Sequence, residues 1–318
     1  MKTLVTGATG FIGPKLLAAL GDCHVLSRNP DRARAALPGA TAFRWNAEKE
    51  LPPAAAFDGV DTVVHLAGEP VAEGRWTAAK KQRIRDSRRV GTRNLVAAIE
   101  GLSDKPKVLV SASAVGYYGD RGDELLDESS TSGDDFLADV CRQWEEAAER
   151  AADFGVRVVM PRIGIVLGDD GGALAKMLPL FKLGLGGRLG GGQQWMPWVH
   201  VDDIVGLVRH AIAHHELRGP MNAVAPNPVR NEEFTREMAK VLHRPAVLPA
   251  PGFGLRLMVG EFAGILLASQ HVLPKVAEQS GYQFHYPDLH AALEEAIGGG
   301  SAPHGAATKH GAEQAAHH

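Results

Sequence analysis

The tightest constraint on this chain lies at its start, in residues 1–13. Lys2-Thr3-Leu4-Val5-Thr6 reads as a short buried strand and runs directly into Gly7-Ala8-Thr9-Gly10-Phe11-Ile12-Gly13. Pro14 then opens a helical pattern, which suits a first turn where its missing N–H is not needed. Strand, glycine turn and helix in that order form the context of a dinucleotide-binding turn. Gly7 permits the tight turn, Gly10 lets a pyrophosphate approach the backbone, and Gly13 lets the helix pack close to the strand. The helix N-terminus adds free N–H groups and partial positive charge. Thr9, Phe11 and Ile12 therefore join the three glycines as candidate cofactor-binding residues. The spacing is G-x-x-G-x-x-G, not the commoner G-x-G-x-x-G.

Composition narrows the remaining classes. The 318 residues allow a large core and two lobes. A net charge of −3 gives no basic field for nucleic acid. Cys23 and Cys141 lie far apart without metal-type spacing, which fits a reducing compartment and no metal centre. The most apolar later stretch, residues 255–267, carries Arg256 and Glu261 and is too short and too charged to span a bilayer. No secretory signal pattern is visible. The expectation is a soluble, cytoplasmic protein without nucleic-acid or membrane partners. Residues 298–318 are rich in Gly, Ala and His without an apolar period, and read as a disordered tail.

Apolar strand patterns at 24–26, 41–45, 61–68, 107–113 and 157–166 alternate with helical patterns at 14–20, 31–37, 76–100 and 134–153. This alternation predicts an α/β fold, a Rossmann-type doubly wound parallel sheet with helices on both faces. After Gly168 the pattern changes. A helix reaches 183, a glycine-rich loop follows at 184–192, and Asn231 starts a helix to 242. The expected organisation is a Rossmann domain over 1–168 and 196–222, and a smaller C-terminal substrate lobe over 169–195 and 223–297.

The end of the second strand selects the cofactor. An NAD site usually places an acid there for the ribose hydroxyls; here Ser27 and Arg28 stand in its place, and no acid precedes Asp31. An arginine without a carboxylate favours a 2′-phosphate, hence NADP(H). His65-Leu66-Ala67-Gly68 closes the fourth strand, and its small residues either let a cofactor lie against the backbone or pack the strand end closely, which makes Leu66, Ala67 and Gly68 cofactor candidates. The basic helix that follows is mostly a solvated face, with Arg88 the candidate to turn toward the cofactor phosphates.

Taken together, Thr6 to Gly13, His65 to Gly68, Ser111-Ala112-Ser113, Pro161-Arg162 and Val199 to Asp203 resemble, in order, the extended short-chain dehydrogenase/reductase superfamily, the NAD-dependent epimerase/dehydratase group. More narrowly, Ser27-Arg28, Tyr117-Tyr118-Gly119, residues 269–274 and Gly281-Tyr282-Gln283-Phe284 resemble its atypical "epimerase family protein" branch. The resemblance implies an NADP-binding fold and carries Ser111 and Arg162 to the cofactor site. It implies Ser113 as the serine that hydrogen-bonds a carbonyl. It also implies a Tyr-x-x-x-Lys pair on the next helix, where lysine holds the ribose and lowers the tyrosine pKa. That pair is missing. Counting from Glu145, the tyrosine position falls at Phe136 or Leu137 and the lysine position at Val140 or Cys141. Tyr117 or Tyr118 is left as a displaced proton donor, with packing over the cleft as the alternative. His200-Val201-Asp202-Asp203 lacks further ligands nearby in sequence, which argues against a metal; the resemblance implies that it closes the substrate side, with Asp202 capping a helix. Two functions lead: an oxidoreductase on an unknown small carbonyl or sugar-like substrate, or an NADP(H)-binding sensor or interaction protein without catalysis; a true epimerase is a third and weaker one, since it also needs the missing base. A homodimer is compatible with both.

Overall fold

Neighbouring residues of each central strand face opposite sides of a sheet, so a sheet covered on both faces needs apolar residues at every position. The computed structural model, which describes residues 1–168 and 171–298, meets this requirement. Val5, Val25, Val64, Val110 and Val159 lie in one core, against Leu16, Ile204 and Val208. Their sequence neighbours Leu4, Leu26, Val63, Leu109 and Val158 lie in a second core, against Leu95, Ile99 and Ala148.

The main strands are β1 (Lys2–Thr6), β2 (Cys23–Ser27), β3 (Thr41–Arg44), β4 (Val60–His65), β5 (Val108–Ser111), β6 (Arg157–Ile163) and β7 (Gly219–Ala223). They run parallel in the order β3-β2-β1-β4-β5-β6-β7, and the two-residue strand Ser113–Ala114 also pairs with β6. The order reverses between β1 and β4, which makes their C-terminal ends the switch point where such sheets bind ligands. The Rossmann-type α/β fold expected from the sequence is the fold observed.

Helix α1 (Gly13–Leu20) leaves the glycine turn, α2 (Pro30–Ala36) follows β2, and α3 (Ala78–Glu100) precedes β5. Helix α4 (Phe136–Glu149) is capped by Asp135, whose carboxylate accepts from the Ala138 N–H at 2.8 Å. The expected long sixth strand divides in two. A Cβ at Gly164 would lie 2.3 Å from the Pro197 carbonyl oxygen. Here the chain leaves the main sheet, and Ile165–Leu167 pairs instead with Trp198–His200.

The C-terminal lobe has its own core. Leu174 and Phe181 of α5 (Gly172–Lys182), Phe234 and Met238 of α7 (Asn231–Leu242), and Leu289 and Leu293 of α8 (Leu289–Gly298) pack around Trp198. Residues 184–192, the expected glycine-rich loop, are tied down. Gly190 N–H donates to the Ala250 carbonyl at 2.9 Å, Ala250 N–H to Arg188, and Leu189 N–H to the Asn231 side chain. Helix α6 (Val201–Ala213) is capped by His200, whose Nδ1 accepts from Asp202 N–H at 3.3 Å; Asp202 lies in the first turn and is not the cap. Of the expected tail, Gly298 ends α8 and the rest lies outside the described residues. Among the described residues, no helix is long and apolar enough to cross a membrane.

A buried histidine pins the switch point. His65 Nδ1 lies 2.6 Å from Thr6 Oγ1 and its Nε2 3.0 Å from Thr92 Oγ1, joining β1, β4 and α3. Thr6 Oγ1 also accepts from the Ala67 N–H at 3.2 Å. Burial, helped by the Arg88 charge, holds the His65 imidazole down at about 4. Below its unfolded value of 6.5, the unfolded chain binds a proton that the folded chain refuses. This contribution is therefore present above pH 6.5 and is lost as pH falls toward 4. Chemical denaturation is expected to show a stability loss of about 2 kcal/mol between pH 7 and pH 5 from this group. His65→Gln is expected to flatten that slope while lowering stability at pH 7; an unchanged slope in the variant would refute the assignment.

Candidate dinucleotide site and adjoining cavity

The turn after β1 is shaped by two glycines. Gly7 has φ +70°, and a Cβ on it would lie 2.8 Å from Ala67 N. A Cβ on Gly13 would lie 2.0 Å from the Ala8 carbonyl oxygen, so no larger residue lets α1 start there. Gly10 is different: it is exposed, and its added atom would meet only the Gly7 carbonyl oxygen at 3.1 Å. The turn at Gly7 and the close packing at Gly13 are those the spacing suggested, and Gly10 leaves its backbone open to the cleft.

Above the turn lies a cleft of about 360 Å³. Gly7, Thr9 and Gly10 floor it, Leu66, Ala67 and Gly68 form its ledge, and Ser27 and Arg28 stand at its far end. Arg28 is exposed and makes no hydrogen bond or ion pair with any described residue, so its guanidinium is available. The Ser27 hydroxyl is spent locally, donating to the Asn29 carbonyl at 3.1 Å. Sequence reasoning missed Trp45, Asn46 and Glu48, which the segment after β3 brings to the same cleft. Phe11, Ile12 and Gly13 are not in its wall. The Phe11 ring packs where Cβ atoms on Gly168 and Gly171 would fall, and Ile12 packs on the core. The residues present fit a dinucleotide: the turn leaves room for a diphosphate only because Gly10 lacks a side chain, and an unpaired cation marks one end.

The second group of candidates forms one buried network. Arg162 on β6 donates from Nε and Nη2 to the two Glu145 oxygens, both at 2.8 Å. This bidentate geometry and burial make the pair a fixed unit, and the paired carboxylate helps push the Arg162 pKa up. The Ser113 hydroxyl donates to Glu145 Oε1 at 2.6 Å and is only 2% exposed. Arg162 Nη1 donates to the Tyr118 hydroxyl at 3.0 Å, which donates in turn to Asn222 Oδ1 at 2.7 Å. Tyr118 is fully buried, and burial pushes its phenol up to about 12. Tyr118 thus serves the interior. The Tyr117 ring lies 3.5 Å from the Arg162 guanidinium carbon, and its hydroxyl bonds to no described residue. Ser111, at the end of β5, has a buried hydroxyl without a partner. Glu145 is the main residue that sequence reasoning passed over; its one signal was its place on the helix that should carry the Tyr/Lys pair.

On that helix, Leu137 Cβ lies 3.3 Å from a Cβ position on Gly116, and Cys141 Sγ lies 3.7 Å from the Ala114 carbonyl oxygen. Leu137 and Cys141, four apart, therefore face the segment after Ser113 in the positions of the absent tyrosine and lysine. Beyond Leu137 opens a cavity of about 760 Å³ walled by Trp76, Phe136, Leu137, Ile265 and Ala268. Its charged neighbours are largely engaged: Lys81 pairs with Glu261, Asp135 caps α4, and Asp120 accepts from Ser269 N–H. Elsewhere His200 Nε2 lies 2.7 Å from Glu295 Oε2, and with Asp202 they form a group of possible metal-ligand types.

A doubly wound sheet with this turn at its switch point defines a dinucleotide-binding fold of the short-chain dehydrogenase/reductase kind. The chain belongs to the NAD-dependent epimerase/dehydratase family, whose description matches residues 3–224. Residues 250–296 match a domain of unknown function, DUF1731. The chain is 43% identical over 299 residues to the chloroplastic epimerase family protein SDR39U1 homolog of Arabidopsis thaliana, covering 92% of this chain and 86% of that protein. It is 37% identical over 302 residues to the epimerase family protein YfhF of Bacillus subtilis, covering 93% and 98%. Among solved structures, human epimerase family protein SDR39U1 (isoform2) with NADPH aligns at TM-score 0.84 and 36% identity, covering 94% of this chain and 100% of that one. MoeE5 in complex with UDP-glucose and NAD, at TM-score 0.75 and 20% identity, covers 94% of this chain and 98% of its own and shares the fold.

The two glycine roles separate by measurement. Gly13→Ala is expected to lose several kcal/mol of stability, about the size of a severe overpacking defect. Gly10→Val is expected to keep the melting temperature near wild type and to abolish dinucleotide binding in calorimetric titration. Retained affinity in Gly10→Val would show that no phosphate lies on this turn.

Proposed function

We propose that this chain is an NADP(H)-dependent oxidoreductase of the short-chain type acting on a small carbonyl compound. The observation that carries the reading is Arg28, an unpaired cation at the end of a cleft whose floor is the glycine turn. Its guanidinium suits the 2′-phosphate, and the NADPH named with the human SDR39U1 structure agrees with that choice. When bound, NADPH supplies a hydride. The protein's own part is to hold the cofactor on the ledge at Leu66, Ala67 and Gly68, and to deliver a proton.

Tyr117 is the proton donor in this reading. Tyr118 is consumed by Arg162 and Asn222, whereas the Tyr117 hydroxyl is unbonded and its ring lies on the Arg162 guanidinium. The guanidinium against its ring face holds the Tyr117 ring in place. Ser113 and Glu145 act as positioning residues, fixing Arg162 beneath Tyr117. The aromatic and aliphatic wall at Trp76, Phe136 and Ile265 suits a carbonyl with an apolar body. The cytoplasm, or another reducing compartment supplied with NADPH, fits the two free buried thiols Cys23 and Cys141.

One observation favours the second reading, an NADP(H)-binding sensor without turnover: the Ser113 hydroxyl is directed to Glu145 and buried, not offered to a substrate. NADPH oxidation across a panel of aromatic and aliphatic aldehydes and ketones separates the two. The oxidoreductase reading predicts turnover that Tyr117→Phe lowers at least tenfold; tight binding with no turnover over the panel supports the sensor. Independently, Arg28→Ala is expected to weaken NADPH by about 10- to 100-fold, the scale of one charge-assisted contact, and to leave NADH nearly unchanged. Equal losses for both cofactors would refute the 2′-phosphate role.

A further inference from the structure

The lysine expected on α4 is absent, yet the place it would serve is not without charge. Cys141 stands at its position, and burial pushes the thiol up to about 12, so the residue is neutral. The nearby Arg88 charge acts on Cys141 as well as on His65. Arg88 comes from the neighbouring helix, α3. Its guanidinium lies against Gly68: a Cβ there would be 3.0 Å from Arg88 Cζ and 3.1 Å from Nη2. Its carbon lies 5.0 Å from the centre of the Trp144 ring on α4. The space for the guanidinium thus exists because residue 68 has no side chain and because α4 offers an aromatic face.

The hydrogen bonds of Arg88 are one-sided. Nη1 donates to the carbonyls of Glu69 at 3.0 Å and Ile84 at 3.2 Å. Nη2 and Nε donate to no described residue. Two donors of a fixed, always-charged fork are left over at the edge of the ledge. They also lie away from the end of the cleft that Arg28 marks. Ser87, which lines the cleft, accepts from the Glu69 N–H, and Arg88 stands next to it against Gly68, on the side of Cys141.

We propose that Arg88 is the cation that holds the nicotinamide ribose, relocated from the lysine position at Cys141 on α4 to α3. Arg88 donates from Nη2 and Nε to the ribose hydroxyls, while its Nη1 bonds to Glu69 and Ile84 keep the fork fixed. Gly68 and Cys141 are its small neighbours: either position occupied by a long side chain would displace it. The inference rests on the cofactor reading above, and wild-type NADPH binding tests that reading separately.

Calorimetric titration with NADPH and with 2′,5′-ADP, which lacks the nicotinamide half, tests the assignment in folded variants matched by melting temperature. Arg88→Met is expected to weaken NADPH at least tenfold and to leave 2′,5′-ADP within twofold. Arg88→Lys is expected to keep NADPH within about fivefold of wild type. The double variant Arg88→Met/Cys141→Lys, which returns a cation from α4, is expected to recover most of the lost affinity. Unchanged NADPH affinity in Arg88→Met overturns the proposal. So does a matching loss for 2′,5′-ADP, which would mean that Arg88 only supports the cleft. If the double variant does not fold, Arg88→Lys decides: a loss as large as that of Arg88→Met overturns the assignment.

Discussion

Everything at the binding end of this protein depends on how closely β1 and β4 approach each other where they stop. Gly7 turns there with φ +70°, and its missing Cβ lets Ala67 N sit where a side chain would be. Thr6, His65 and Thr92 lock that approach from beneath, with contacts of 2.6 and 3.0 Å. A dry, neutral imidazole between two hydroxyls is stable only where no water or charge competes. The same packing that makes the ledge flat therefore makes it sensitive to acid. The cleft is a consequence: with both strand ends fixed, the glycine turn and residues 66–68 line one cleft of about 360 Å³.

A second fixed unit lies in the interior between α4 and β6. The Glu145–Arg162 pair is buried, bidentate and linked at both ends, to Ser113 on one side and through Tyr118 to Asn222 on the other. Removing one partner would strand a charge in the interior, so the pair holds α4 and β6 in one geometry. It also explains why two adjacent tyrosines have different fates. Tyr118 completes the buried network and is held protonated, whereas Tyr117 lies over the guanidinium with its hydroxyl unspent. The altered α4 belongs to the same arrangement: with Leu137 and Cys141 in place of a tyrosine and a lysine, charge is supplied from β6 and α3.

The parts legible in the sequence were those set by local pattern. Continuous apolar strands, the glycine turn, Pro14, the Asp135 cap and α7 from Asn231 to Leu242 all follow from residues a few positions apart. Arg28 was legible because its place after β2 is fixed by the turn before it. What escaped depends on partners far along the chain. Glu145 gains its meaning from Arg162 and Ser113, and the tether at 184–192 from residues 248–250. The fourth strand could not reveal that His65 is a structural pin, because Thr92 arrives from α3. Gly164 looked like an ordinary glycine within a strand until the Pro197 carbonyl stood 2.3 Å from its Cβ position.

Whether the cleft lined by the glycine turn and residues 66–68 holds the cofactor is tested most directly by hydrogen–deuterium exchange with and without saturating NADPH. Slowed exchange is predicted in peptides covering residues 7–13, 27–29 and 66–70, with exchange around Asp203 on α6 unchanged. Protection confined to the C-terminal lobe, or none at residues 7–13 under saturating cofactor, would contradict it.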